Sequence, residues 1–269
     1  MRHYPCRLIV GAAALLGGIV GLNQTNMEAA DPPLTSEFKS LVEQDAKNAL
    51  EMIDRINMQM TGTKERKITE KRAASSIPAN AIMIAAYAQN RITGKNAAED
   101  ARMATLRDAA LKVVRSAGAK QFAMAAADLQ KLKADMPADA NANPKIVNLA
   151  AEIDTETLMH QFKKTATGGL GIEDEIKDLA DPMNKTPVNP AKAIALAERL
   201  LTVADMVDSL TPQGGFNAKK NKKAWDGFNK DMRTAAKNLI TTANAKNPDW
   251  KGAFAKLDAS CVACHQIMK

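Results

Sequence analysis

Apolar positions in this chain recur at helical spacing wherever a period can be read. Phe38, Leu41, Val42, Ala46, Leu50, Ile53 and Ile56 keep one face apolar for several turns, behind DPPLTSEF with Thr35 or Ser36 as N-cap. The polar run TGTKERKITEKRAASSIP breaks that pattern. Further helices are expected over PANAIMIAAYAQN, AAEDARMATLRDAALKVVRSA and KQFAMAAADLQKLKA, and DMPADANANP then reads as a linker. The second half repeats the plan. One helix is expected over IVNLAAEIDTETLMHQFKK, followed by the glycine-rich TGGLGIEDE. Two more cover NPAKAIALAERLLTVADMVDSL and AKKNKKAWDGFNKDMRTAAKNLITTANA. Asn247-Pro248 opens the last, with proline where its missing N–H costs nothing, and Trp250, Phe254, Leu257, Cys261 and Met268 recur along it. The expectation is an all-α chain of two tandem antiparallel four-helix bundles, residues 31–140 and 145–269.

Composition agrees with helices. Hydrophobic residues make up 46% of the chain but aromatics only 4%, and alanine, the strongest helix former, is abundant. Runs of alternating β-branched and aromatic residues that would announce strands are missing. The formal charge is +7, yet the signs mix along the helices, as in KKNKKAWDGFNKDMR. No like-charged block is interleaved with aromatics, which argues against a nucleic-acid surface; a modest lysine excess suits acidic protein partners.

Residues 1–30 stand apart. A short basic region, MRHYPCR, precedes the apolar LIVGAAALLGGIVGL, the length of a signal-peptide core and short for a membrane span. Ala29 and Ala30 supply small residues, although Met27 or Glu28 makes the cleavage site imperfect. The segment reads as a signal peptide or N-terminal anchor, the route to the periplasm or a similar exported location. Cys6 falls inside it and reads as an inert leader residue.

The two halves align with each other. RDAALKVVRSAGAK, from Arg107, lies over RTAAKNLITTANAK, from Arg233, without a gap. After a two-residue gap Phe122 pairs with Trp250 and Leu129 with Leu257. The positions facing Cys261, Cys264 and His265 are then Lys133, Met136 and Pro137, so the first half carries no equivalent of that cluster.

CVACH, residues 261–265, is the C-x-x-C-H pattern of covalent haem attachment. On a helix, positions i, i+3 and i+4 share one face. Two thiols so placed can add to the two vinyl groups of a porphyrin edge, and the imidazole that follows lies under the iron as axial ligand. Trp250, Phe254 and Leu257 supply an apolar wall on the same face. A structural zinc site needs four ligands, and only His160 remains to complete the set outside the leader. A dithiol redox motif needs a preceding strand, and a disulfide between i and i+3 constrains almost nothing.

With these residues in view, the second half resembles the cytochrome c′ family, the class II c-type cytochromes, in CVACH, its terminal position and the four-helix layout. The resemblance covers about residues 145–269, and this chain stops at Lys269 where members often continue a few residues. It implies an antiparallel bundle whose last helix holds one haem c on Cys261 and Cys264, with His265 on the iron. Low-spin members place a methionine from the bundle's first helix on the other side and carry electrons; high-spin members leave that face apolar and bind nitric oxide or carbon monoxide. In ETLMHQF, Leu158, Met159 and His160 point about 100° apart on a helix, so one of them can face the haem. Met159 stands where the methionine of the low-spin relatives falls; His160 is the alternative ligand, and Leu158 would leave the iron five-coordinate. The expected function is one-electron transfer with redox partner proteins, gas binding being the alternative. Beyond His160 no acid–base pair points to a haem enzyme. Relatives often pair as dimers, which makes a homodimer one expected arrangement.

Overall fold

The computed structural model describes residues 36–268 apart from 213 and 219. The leader at residues 1–30, Cys6 and the Thr35 cap lie outside the described residues. Among those residues the chain is all-helical. α1 (Ser36–Asn57), α2 (Lys64–Gln89), α3 (Ala97–Gly118) and α4 (Phe122–Leu129) pack α1 on α2, α2 on α3, α3 on α4 and α4 back on α1. α5 (Thr155–Leu158) and short 3-10 turns cross over α2. α6 (Ile172–Ala180), α7 (Pro190–Val207), α8 (Lys222–Ala243) and α9 (Trp250–Met268) follow, α7 on α8, α8 on α9 and α9 on α6. No helix among the described residues is long and apolar enough to cross a membrane.

Local chemistry sets the ends. Thr63, Asn96, Asn189 and Asn221 accept hydrogen bonds from the first-turn N–H groups of α2, α3, α7 and α8, and Pro190 opens α7. Three expectations need correction. α2 does not wait for the proline: it starts at Lys64 and contains Pro78 in its interior. Its first inward positions are Thr69, Ala73 and Ser76, small or polar residues that hide the helical period in the sequence. The helix expected over residues 146–164 is instead a string of short turns, because the side chains of Asn148 and Asp154 cap Ala150 and Thr157 and restart the backbone within a few residues. The helix expected over KQFAMAAADLQKLKA stops at Leu129, where Gln130, Lys131 and Leu132 turn out of it.

Two apolar clusters form the core. The larger begins on α1 and α2, takes in Leu149, Ile153 and Leu158 from the crossing segment, and continues through Val203, Met206 and Val207 of α7 to Trp225 of α8. The smaller joins Ile172 and Ile176 of α6 to Leu196, Leu200, Leu239, Phe254 and Leu257. α7 thus contributes to both.

Polar side chains tie the crossing segment and α7 to the first half. Arg199 of α7 donates to both carboxylate oxygens of Asp45 on α1, at 2.7 and 2.9 Å, with both side chains buried. Its guanidinium carbon also lies 5.8 Å from the ring centre of Tyr87 on α2. Gln161 donates to the Ala79 carbonyl at 2.8 Å, and the Gly168 carbonyl accepts from Ser76 and from Asn48. Gly168 adopts φ +90°, and a Cβ on Gly169 would stand 2.0 Å from the Lys163 carbonyl oxygen. TGGLG is therefore a close-packed clasp that only glycine can make.

Candidate functional site

α9 is closed at its start and open at its end. Ala253, Phe254 and Leu257 are buried in the smaller cluster, and the Ser260 hydroxyl donates back to the Leu257 carbonyl at 2.7 Å. One turn later burial gives way: Cys261, Cys264 and His265 are half-buried, while Val262 and Ile267 are exposed. The helix continues unbroken through the motif, so Cys261, Cys264 and His265 occupy the i, i+3 and i+4 positions of one face. Both cysteines are free thiols. Cys261 borders the smaller cluster and Cys264 the larger, so the two thiols straddle the seam between them. Met232 and Phe162 border both clusters, and Phe228 and Met159 border the one that Cys264 touches.

The thiols are weak acids here. Burial pushes Cys261 up to about 11, against a hydrogen bond with Ser260, and Asp258, Glu173 and Cys264 add to the rise. Burial likewise raises Cys264. Both sulfurs are therefore protonated at neutral pH, which keeps them from chance oxidation or metal capture.

The candidates for the far side of the iron lie on the crossing segment. Leu158 is fully buried and Met159 half-buried against the larger cluster. His160 is only 5% exposed, and its Nδ1 has no hydrogen-bond partner. Burial first, and then the Lys163 ammonium, lower its pKa to about 4, so it is a neutral imidazole with an unengaged nitrogen. The turn at Met159–Phe162 that carries both candidates packs on α2 and α6, and α9 packs on α8 and α6. α6 is the shared neighbour of the two candidate ligand segments.

A haem suits these residues by the chemistry of the donors: two protonated thiols one helical turn apart, an imidazole beside them, and apolar side chains along the seam. Among the described residues no three His, Cys, Asp or Glu side chains are grouped to hold a metal ion, so the zinc alternative finds no ligand set there. Two clefts of about 230 and 210 Å³ open beside residues 146–150, away from α9. Phe228 and Met232 read in the sequence as core positions of α8; their place beside Cys264 follows from α8 and α9 packing side by side. The residues that the internal alignment pairs share a local role, since Phe122 and Trp250 each open a helix and Leu129 and Leu257 are both buried. Compared with family models, curated proteins and solved structures, the chain matches none.

Proposed function

We propose that this protein is an exported monohaem c-type cytochrome of the class II kind that exchanges single electrons with partner proteins. Cys261 and Cys264 hold the haem by thioether bonds, each S–H adding across a vinyl group with its proton passing to the second vinyl carbon. His265 is the axial ligand. The observation that carries this reading is the open face at the end of α9, where two free thiols and an imidazole stand at i, i+3 and i+4 beside an apolar seam. When bound, the haem supplies the redox-active iron; the chain supplies attachment, one ligand and shelter from water. Met159 is the proposed sixth ligand, His160 the less favoured one, and the α6–α9 group the haem-bearing four-helix bundle. The test is made on protein matured where haem c is installed. A mass one haem above the polypeptide, a pyridine haemochrome of two thioether links, and low-spin bands lost in Met159→Ala are expected. Polypeptide mass alone, with no Soret band, overturns the proposal.

A five-coordinate iron that binds nitric oxide or carbon monoxide is the second reading. It is favoured by the aromatic company of Cys264, since Phe228 and Phe162 border the same cluster and neither can ligate iron. It expects high-spin bands unchanged by Met159→Ala and by His160→Ala.

A further inference from the structure

The net charge of +7 is not spread along the chain. Residues 1–215 contain 26 Lys and Arg against 26 Asp and Glu, whereas residues 216–269 contain 11 against 4. The excess sits on α8, α9 and the loop that leads into α8. Six residues, 244–249, join these two helices, and the helices pack along each other, so they run antiparallel. The start of α8 therefore lies at the end of the pair that carries Cys261, Cys264 and His265. The same conclusion follows from Trp225, Phe228 and Cys264 meeting at one cluster.

Lys222, Lys223 and Lys230 of α8 are exposed at that end. Helix stability does not explain them. The first turn of α8 holds no acidic residue and two lysines, the reverse of what the helix dipole favours. Lys222 pairs with Asp226 at 2.7 Å, leaving the surroundings with a surplus of positive charge. Exposed apolar side chains lie among the lysines: Phe216 in the entering loop, 40% exposed, with Val262 and Ile267 on α9 at 40% and 43%. A few apolar side chains inside a charged rim make an interface that steers a partner from a distance and releases it readily.

We infer that this end of the α8–α9 pair is the docking surface for an acidic protein, which meets the molecule over the haem-attachment turn. The inference rests on the cytochrome reading for its purpose, electron exchange, but not for its existence. A nucleic acid is disfavoured because Phe216 is the lone aromatic residue in the patch, too few to stack successive bases. An anionic membrane is disfavoured because the three apolar side chains are scattered among charges and form no continuous stripe.

Two measurements on the full chain test it. In the first, Lys223→Glu/Lys230→Glu is compared with Lys67→Glu/Lys71→Glu, an equal charge change at exposed positions of α2. Binding of polyglutamate at low ionic strength, followed by a sensor that needs no haem, is expected to weaken about tenfold in the first variant and less than twofold in the second. Equal weakening in both, or tighter binding of single-stranded oligonucleotide or phosphatidylglycerol vesicles than of polyglutamate, overturns the inference. In the second, the reduced holoprotein gives one electron to ferricyanide, which becomes ferrocyanide. The wild-type rate is expected to fall with added salt, and Lys223→Glu/Lys230→Glu to remove most of that dependence. Salt dependence unchanged by the substitutions overturns the placement beside the haem. Loss of polyglutamate binding in a protein without a Soret band would sink the cytochrome reading and leave the surface standing.

Discussion

α2 and α9 are both alanine-rich helices, yet they lie in different surroundings. From Ser76 to Ala88 every residue of α2 is buried, because α1, α3, α7 and the crossing segment enclose it. α9 is enclosed only up to Ser260, and from Cys261 onward every residue whose burial is described is half-buried or exposed. An enclosed helix gains its stability from apolar contact on all sides and has no room for a ligand. A helix that outruns its neighbours keeps one face unfinished. In this chain the unfinished face is the one with chemistry on it.

The largest expected effects fall in the enclosed region. Asp45→Ala leaves Arg199 buried without its carboxylate and is expected to cost about 3–5 kcal/mol by urea unfolding, whereas Asp45→Leu/Arg199→Met costs less than either single change. Equal costs would mean that the pair is not enclosed as described. Next comes Ile82→Ala on α2, with an expected loss of about 2–5 kcal/mol, against less than about 0.5 kcal/mol for Val262→Ala on the open end of α9. A large loss at Val262 in the haem-free protein would contradict the contrast between the two helices.

A smaller effect depends on pH. His160 has a pKa near 4 in the folded chain against an ordinary 6.5. A depressed pKa stabilises fully above pH 6.5, and that contribution is lost as the pH falls through 4. Asp45 works in the opposite direction: burial outweighs Arg199 and raises its pKa, so its contribution declines as the pH rises from 3.8. Wild type minus His160→Gln isolates the histidine, and the difference is expected to shrink by about 1–2 kcal/mol from pH 6.5 to 4, allowing for partial access to water. A flat difference would mean that His160 is solvated. The smallest effect belongs to the exposed Lys47–Glu51 pair on α1, 4.0 Å apart, where Glu51→Gln should change stability by less than about 0.5 kcal/mol.

Much of the helical plan is legible in the residues. Asn189-Pro190 and Asn247-Pro248 mark starts, and the period of Phe38 to Ile56 marks an inward face, because caps and amphipathic spacing act within a few residues. Where sequence reading failed, the signal was not local. Thr69, Ala73 and Ser76 look like solvent positions but face inward because α1 and α3 lie against them. The turns from Leu149 to Phe162 look like one amphipathic helix, yet Asn148 and Asp154 can cap a shorter turn, and packing on α2 selects the shorter form. The site divides the same way. CVACH is contiguous, and any helix puts its three side chains on one face.

By itself, then, the sequence determined the all-helical class, most helix starts and the spacing of Cys261, Cys264 and His265. These depend on backbone preferences and on a helical repeat that holds in any surroundings. Only the tertiary structure decided that Arg199 meets Asp45 across 154 positions, that TGGLG is a clasp, and that α9 stays uncovered at its thiols. Those outcomes depend on which surfaces meet, and burial, desolvation and exposure exist only once they have met.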